Sequence, residues 1–200
     1  MAKSEAPRLV VGVSGASGAL LGVRLLQALS ELGVESHLVA SRAAALTLAQ
    51  EAGLTPADLA AKASVSYRPG EIGAAIASGS FQTRGMIVAP CSVKTMSEIA
   101  TGVTSSLITR AADVTLKERR LLVLMVRETP LHLGHLRTMA ALTEMGAVIA
   151  PPVPAFYAEP ETLTDIADQC VGRVLDLFGF RWRGVRRWGE DLSALREDQA

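Results

Sequence analysis

The sequence predicts an α/β fold in which a parallel sheet is covered by helices on both faces. Short runs that are apolar throughout, such as residues 9–13 and 121–126, alternate with longer amphipathic stretches of helical periodicity. Strands that are apolar on both faces are typical of parallel sheets, because the helical crossovers bury both faces. With 200 residues, 49% of them hydrophobic, the chain is long enough to bury such a core in one domain.

The predicted elements follow one another in a regular order. Strands are expected at residues 9–13, 34–40, 85–89, 121–126 and 147–150, with Pro90 ending the third. Helices are expected from the first loop to about residue 32, and at 42–51, 93–117, 131–145 and 162–178, with a break near Gly102. Residues 54–84 give a weaker pattern, in which 55–58 are typical of a helix start.

Composition excludes several classes of protein. Lys plus Arg and Asp plus Glu each number 20, which argues against a broad nucleic-acid surface. Two distant cysteines without metal-ligand spacing argue against a disulfide scaffold and a zinc site. Since neither a secretory signal nor a long apolar run is evident, a cytoplasmic location is expected. Zero net charge and positive mean hydropathy suggest a surface partly covered by another copy of the chain.

The loop after the first strand is the first candidate ligand site. Residues 14–18 are small, so the backbone can approach a ligand, and N–H groups at the following helix start attract anions. The glycine spacing is neither G-x-G-x-x-G nor a Walker A motif. No acidic residue ends the second strand, where Ser41 stands, so a dinucleotide is disfavoured and a mononucleotide phosphate stays open. A tight turn with Ser17 as a helix cap is the structural alternative.

Polar residues also follow the third and fourth strands. Cys91, Ser92 and the residues after them open a helix, where an anion can bind and where the pKa of a thiol can fall. No histidine lies nearby in the sequence to activate Cys91 as a nucleophile. Arg127 and Glu128 directly follow the apolar run at 121–126, a place where charge is costly unless it is paired or used. A structural Arg–Glu ion pair is the alternative interpretation.

Arg110 and Lys117 lie on one helix face and are able to converge on a phosphate. Alternatively, Asp113 pairs with Lys117 as an ordinary i,i+4 bridge. His132 and His135 are three apart, but without an acidic motif a metal site is not expected.

The proline-rich segment at 151–157 is expected to be stiff. It would hold Phe156 in the core and offer the Tyr157 hydroxyl to a ligand. The C-terminal segment keeps Trp182 and Trp188 among arginines, so we expect it to pack on something rather than to be solvated.

Eight sequence blocks occur in the order found in a known family. They are GASG at 15–18, ASGSF at 77–81, APCS at 89–92, RAADV at 110–114, LKERR at 116–120, VRETPL at 126–131, PAFY at 154–157 and GRVL at 172–175. On these blocks the chain resembles the UbiX family of flavin prenyltransferases, from about residue 8 to residue 188.

The resemblance implies a three-layer, Rossmann-like or flavodoxin-like fold as one flavoprotein domain over residues 1–200. The segment from about 181 to 200 would pack over the site or a neighbouring subunit. The resemblance also implies a homododecamer built from trimers, with FMN bound where subunits meet. Its reaction joins the dimethylallyl group of dimethylallyl monophosphate to N5 and C6 of reduced FMN without a metal. The product, prenylated FMN, would serve UbiD-type decarboxylases.

The family's functional residues are carried over onto matching positions. The FMN-binding positions are Gly15, Ala16, Ser17, Ser41, Cys91, Ser92, Val93, Lys94 and Arg127. The prenyl-phosphate positions are Arg110, Lys117, Tyr157, Arg173 and Trp188. The catalytic positions are Glu128, Glu51 and Ser17, with Glu128 favoured for proton transfer. A lid carrying Trp182 and Trp188 is expected to exclude water.

Two alternatives remain for the function. A related flavoprotein that decarboxylates a peptidyl or pantothenoyl cysteine would use an early catalytic histidine, but His37 lies on the second strand outside such a motif. An FMN-binding accessory subunit of an aromatic acid decarboxylase would have no turnover of its own. The presence of Lys117, Glu128, Tyr157 and Arg173 argues against it.

Overall fold

The computed structural model describes residues 6–191, which form a six-stranded parallel sheet of order β3-β2-β1-β4-β5-β6. The strands are β1 (Arg8–Val13), β2 (Glu35–Ala40), β3 (Val65–Tyr67), β4 (Gly85–Cys91), β5 (Leu121–Val126) and β6 (Val148–Ile149). The first strand therefore lies near the middle, and the chain changes direction across the sheet between β1 and β4. Ligands of open parallel sheets bind at such a switch point, beyond the carboxyl ends of the strands.

Helices cover both faces of the sheet, so the predicted three-layer α/β fold class is confirmed. They are α1 (Ala19–Glu31), α2 (Ala44–Thr47), α3 (Pro56–Ala60), α4 (Val93–Ala100), α5 (Leu107–Lys117), α6 (Leu133–Glu144) and α7 (Leu163–Asp176). One core contains residues of α1 and α7, and the core on the opposite face contains residues of α4, α5 and α6. None of the helices within residues 6–191 is long and apolar enough to span a membrane.

The alternation of side chains along β1 explains its apolar sequence. Leu9, Val11 and Val13 belong to one core, whereas Val10 belongs to the other, and all four are at most 2% exposed. Successive residues of a strand point to opposite faces, so a central strand needs an apolar residue at nearly every position.

The third strand predicted from the sequence, which is β4 in the structure, is longer than expected. It continues through Pro90 to Cys91 instead of ending before the proline. Proline lacks an N–H donor but keeps its carbonyl, and the Pro90 carbonyl accepts from the backbone N–H of Ser14 at 3.2 Å. The edge strand β3 was not predicted, because it has only three residues and lies in the weakly patterned region 54–84.

The described part of the C-terminal segment packs against α1 and α7. The Trp182 ring is 4% exposed, and its Nε1–H donates to Glu31 Oε2 at 2.6 Å. A Cβ atom on Gly172 of α7 would fall 1.7 Å from a Val185 methyl group, so this contact requires glycine. The expectation that Trp182 belongs to a lid is wrong, because its ring is part of the core. Residues 192–200 of the predicted segment lie outside the described range.

Candidate functional site

The ends of β1 and β4 are joined by one buried hydroxyl. Ser14 Oγ donates to the Pro90 carbonyl at 2.8 Å and accepts from the Ser92 backbone N–H at 2.7 Å. Ser14 is 1% exposed, so these hydrogen bonds are shielded from water. They fix the loop at 14–18 relative to the first turn of α4.

A cleft of about 650 Å³ opens beyond the ends of β1, β2 and β4. Four predicted FMN positions line it, namely Gly15, Ser41, Ser92 and Lys94. The lining residues that the sequence did not identify as ligand-binding are Arg42, Ala43, Pro69, Gly70, Thr95, Glu98, Ser105, Ser106 and Ile108. Thr95 stands three positions after Ser92, which is the spacing of a helix cap, so its place beside Ser92 was accessible from sequence.

Hydroxyl groups and a helix N-terminus face this cleft together. Ser92 is the N-cap of α4, and its Oγ accepts from the Thr95 N–H at 3.3 Å and donates to Thr95 Oγ1 at 3.1 Å. Lys94 donates to Glu98 at 2.7 Å, and Glu98 also accepts from the Ser105 hydroxyl at 3.1 Å. Hydroxyls, backbone N–H groups and a cation are the donors that a phosphate monoester requires.

The cleft wall at Gly15 has no space for a side chain. A Cβ atom there would lie 2.4 Å from Ala43 Cβ and 3.1 Å from the Ala43 carbonyl carbon. Ser41 N–H donates to the Val13 carbonyl at 2.8 Å, which keeps the loop after β2 against the end of β1. Two loops of small residues thus pack directly on each other and leave the hydroxyl of Ser41 beside the cleft.

Glu51 occupies the N-terminus of α1. One oxygen of its carboxylate accepts from the backbone N–H groups of Gly18 at 2.8 Å and Ala19 at 2.9 Å. Burial disfavours the charged form, but these two N–H groups, the Ser17 hydroxyl and the charge of Arg127 outweigh it and lower the pKa of Glu51. Three predicted site residues, Ser17, Glu51 and Arg127, therefore act on one another, and Glu51 is a carboxylate at neutral pH.

Arg127 and Glu128 follow β5 and are both exposed. The Arg127 backbone N–H donates to the Cys91 carbonyl at 3.1 Å, and the Glu128 carboxylate accepts from the Thr129 N–H at 3.0 Å. Among residues 6–191, the ion pairs that the structure contains do not include one between Arg127 and Glu128. The structural alternative for this pair is therefore wrong.

Cys91 is a core residue rather than a nucleophile. It is 0% exposed, and burial raises the pKa of its thiol to about 12. The expectation of a lowered pKa is wrong, because the side chain is fully buried in the core between the sheet and its helices, where the thiolate would lose its hydration. The backbone carbonyl of Cys91, rather than its side chain, contacts the residue that follows β5, Arg127.

The two cations of α5 have local carboxylate partners. Arg110 donates to Asp113 at 2.6 Å, and Lys117 pairs with Glu118. The alternative pairing of Asp113 with Lys117 is thus wrong. A Cβ atom on Gly79 would fall 2.8 Å from Lys117 Nζ, so the loop at 77–81 lies directly against this ammonium group.

Tyr157, Arg173 and Trp188 line a second pocket, of about 340 Å³, at the end of α7. The Tyr157 and Trp188 rings meet edge to face with centroids 5.6 Å apart. Arg173 donates to Asp176 at 2.6 Å. Phe156, expected in the core, is 81% exposed, because the short helical turn at Phe156–Ala158 directs its ring outward.

His132, the N-cap of α6, and His135, in its first turn, lie against each other. The rings of His132 and His135 stack with centroids 3.7 Å apart, and His132 Nδ1 accepts from the Gly134 N–H at 3.0 Å. No cluster of three or more His, Cys, Asp or Glu side chains suited to a metal occurs in the described part of the chain.

The predicted site residues therefore form three groups within one chain. The first lines the cleft at β1, β2 and β4, the second surrounds Glu51, and the third surrounds Tyr157 and Arg173. Arg110 and Lys117 lie on α5 and line neither pocket. Ala16 and Val93 lie in the loop after β1 and in the first turn of α4, outside the residues that line the cleft.

Comparison with known proteins identifies close relatives along nearly the whole chain. The family model described as Flavoprotein matches residues 2–175. The flavin prenyltransferase UbiX of Escherichia coli K12 is 55% identical over 187 residues, which cover 89% of this chain and 99% of that protein.

Two solved structures extend the comparison to the fold. A crystal structure of AnUbiX in complex with FMN and dimethylallyl pyrophosphate has a TM-score of 0.91 and 48% identity, covering 92% of this chain and 98% of that one. A dodecameric FMN-dependent UbiX-like decarboxylase from Escherichia coli O157:H7 has a TM-score of 0.88 and 52% identity, covering 90% and 98%. The chain therefore belongs to the UbiX family of flavin prenyltransferases.

Proposed function

We propose that this protein transfers the dimethylallyl group of dimethylallyl monophosphate to N5 and C6 of reduced FMN. The observation that carries the proposal is the cleft at the ends of β1, β2 and β4, whose donors suit a flavin phosphate. It occurs in a chain that is 55% identical to a flavin prenyltransferase, and a structural relative contains FMN together with dimethylallyl pyrophosphate.

The FMN phosphate would be held by the hydroxyls of Ser41, Ser92 and Thr95 and by N–H groups at the start of α4. The donor set fits, since three hydroxyls and a helix N-terminus face a cleft that also contains the Lys94 ammonium. Gly15 and its small neighbours would let the backbone approach the ligand. Arg127, beyond the end of β5, would contact the flavin ring.

The prenyl phosphate would be held by Lys117, Tyr157 and Arg173, with Arg110 nearby. Because the α5 cations do not share a pocket with Tyr157 and Arg173 within the described chain, we assign the complete phosphate site to a boundary between subunits. Exposed apolar side chains support such assembly, among them Val153 at 70% and Phe156 at 81%. A homododecamer, as in the dodecameric relative, is the expected form.

The reaction breaks the allylic C–O bond, and the phosphate leaves with its electron pair. Reduced FMN supplies the electron-rich N5 and C6 atoms that form the two new bonds. Two protons leave N5 and C6, and they are balanced by one proton taken up by the prenyl chain and one by the phosphate. Fixed cations such as Lys117 and Arg173 stabilise the departing phosphate.

The two glutamates have different roles in the proposed reaction. Glu51 has a lowered pKa and accepts two N–H groups, so it is a weak base and suits the role of a fixed negative charge. Glu128 is exposed, and within residues 6–191 its carboxylate accepts from the adjacent Thr129 N–H, so we assign proton transfer to this side chain. Ser17, hydrogen-bonded to Glu51, would position that carboxylate.

The segment that carries Trp188 would exclude water from the reacting allyl group, which water would otherwise hydrolyse. Trp188 is 59% exposed and already contacts Tyr157, so it stands at the edge of the pocket that it would close. The product, prenylated FMN, would be delivered to a UbiD-type decarboxylase. The chemistry would thus need residues of two copies of this chain, but no metal.

The test is an anaerobic incubation of the purified protein with reduced FMN and dimethylallyl monophosphate, followed by mass spectrometry of the released flavin. The flavin is expected to gain one C5H8 unit in the absence of any decarboxylase. A parallel incubation with dimethylallyl pyrophosphate establishes which ester is the donor. An unchanged flavin mass with both esters contradicts the proposal and favours an accessory subunit without turnover.

A further inference from the structure

Asp176, the last residue of α7, binds two arginines unequally. Arg187 donates to it with both Nη atoms, at 2.9 and 2.7 Å, whereas Arg173 donates once, at 2.6 Å. The Arg187 and Asp176 side chains are only 16% and 20% exposed, while the Arg173 side chain is 61% exposed. A two-pronged, largely buried pair is the geometry in which an ion pair has a defined position.

The Arg187 pair fixes the chain next to Trp188. Arg187 immediately precedes Trp188, whose ring meets Tyr157 edge to face. The same stretch is held on its other side by Val185, which packs on α7 at Gly172. Asp176 therefore ties to α7 the short segment that places Trp188 at the second pocket.

The same carboxylate also sets the direction of Arg173. The hydrogen bond to Asp176 uses one of the five N–H donors of the guanidinium group. The pocket that Arg173 lines also contains Arg186 and Arg187, and its one carboxylate, Glu190, pairs with Arg181. A single Asp176 carboxylate against two arginines leaves the pocket an excess of positive charge, as an anionic ligand requires.

We propose that Asp176 is a positioning residue for the prenyl-phosphate site, acting on Arg173 and, through Arg187, on Trp188. The inference rests on the proposed function of Tyr157, Arg173 and Trp188. It adds that the anion-binding arginine and the closing tryptophan depend on one carboxylate that itself does not contact the substrate.

The test is Asp176→Asn in the full chain, measured by steady-state turnover with reduced FMN. The KM for dimethylallyl monophosphate is expected to rise about tenfold, the size that loss of a charge-assisted contact gives, with a smaller change in kcat. Trp188 should also become more accessible to acrylamide, measured as the fluorescence difference between each protein and its Trp188→Phe counterpart. Asp176→Glu, which keeps the charge, should restore part of the affinity.

A matched control comes from the same helix. Asp168 accepts two hydrogen bonds from Arg24 of α1, at 2.5 and 2.8 Å, so Asp168→Asn removes a comparable ion pair on the side facing α1. It should lower the thermal midpoint but leave the KM for dimethylallyl monophosphate and the Trp188 quenching unchanged. If Asp176→Asn does not fold, Arg187→Ala replaces it, with the same two expected changes and Arg173 still paired.

The proposal is overturned if the wild-type protein prenylates FMN and the Asp176 or Arg187 variant has the wild-type KM for dimethylallyl monophosphate and the wild-type acrylamide quenching of Trp188. An equal rise in KM in Asp168→Asn also overturns it, because the effect is then a general loss of stability. Failure of the wild-type protein to prenylate FMN counts against the proposed function instead. In that case the quenching measurement alone decides whether Asp176 holds the segment.

Discussion

Replacing Glu51 by glutamine is expected to destabilise the fold, because this carboxylate, in the helical turn Leu48–Ala52, caps the N-terminus of α1. It accepts the N–H groups of Gly18 and Ala19 at 2.8 and 2.9 Å, and the N-cap residue Gly18 makes no side-chain capping bond. Glutamine keeps an oxygen that can accept these two N–H groups, but it removes the negative charge at the helix N-terminus, which costs about 1 kcal/mol. In a chain of this size the thermal midpoint should fall by about 2–4 °C.

The effect of Glu51→Gln should depend on pH in a defined direction. The folded-state pKa of Glu51 lies below its ordinary value of 4.5. Its ionised form therefore contributes stability above the unfolded-state pKa, and this contribution is lost as pH falls through the folded-state pKa. The difference between wild type and variant should be constant from neutral pH down to about pH 5.5, and should shrink below about pH 4.

Differential scanning fluorimetry across this pH range measures the prediction, with midpoints compared at equal protein concentration because assembly also stabilises the fold. Glu144→Gln serves as the control, since Glu144 is an exposed carboxylate at the C-terminus of α6, where a negative charge is not stabilising, and its loss should not lower the midpoint. Equal midpoints for wild type and Glu51→Gln at neutral pH would refute the capping role. A deficit that persists undiminished below pH 4 would refute the electrostatic part of the reasoning.

Three further predictions concern the site. Glu128→Gln should abolish formation of prenylated FMN while FMN still binds, measured by flavin mass and fluorescence titration; unimpaired product formation would remove Glu128 from the chemistry. Cys91, which is 0% exposed, and Cys170, which is 8% exposed, should resist a thiol reagent in the native protein and react after denaturation in guanidinium. Rapid native labelling of Cys91 would contradict its place in the core. Gly15→Ala should weaken FMN binding and lower the free energy of unfolding by about 1–3 kcal/mol, because the new methyl group would lie 2.4 Å from Ala43 Cβ. An unchanged FMN affinity would contradict this prediction, because it would show that the loop can move to accept the methyl group.

Hydrophobic patterning was sufficient to predict five of the six strands. The strands β1, β4 and β5 are central and buried on both faces, so nearly every position must be apolar, and such runs are visible in a single sequence. The edge strand β3 was missed because Val65–Tyr67 is short and only partly buried. Its place is fixed by a tertiary contact, since the Tyr67 hydroxyl lies 2.9 Å from Nδ1 of the buried His37.

The strand ends were the part of the site that sequence located well. Parallel topology places residues after β1, β2 and β4 at one edge, and there Gly15, Ser41 and Ser92 line one cleft. The opposite wall was not predicted, because Ser105 and Ser106 follow α4 and approach the cleft only through its packing. No local pattern distinguishes them from an ordinary loop and helix cap.

The contacts of the charged and aromatic site residues were not predicted from the sequence. Lys117 and Arg173 were predicted as phosphate ligands, and each has a carboxylate partner close in sequence, Glu118 and Asp176. An i,i+1 or i,i+3 partner is selected by rotamer and packing, which the sequence does not specify. Phe156 was expected in the core because its side chain is apolar, yet it is exposed.

Prenyl transfer to FMN is tested with dimethylallyl monophosphate labelled with carbon-13 at the carbon that carries the phosphate. After an anaerobic turnover, carbon NMR of the extracted flavin locates the label. A labelled carbon bonded to flavin N5, with stoichiometric release of phosphate, is the expected result. Recovery of the label only in dimethylallyl alcohol or in unreacted ester, with the flavin unlabelled, would contradict it.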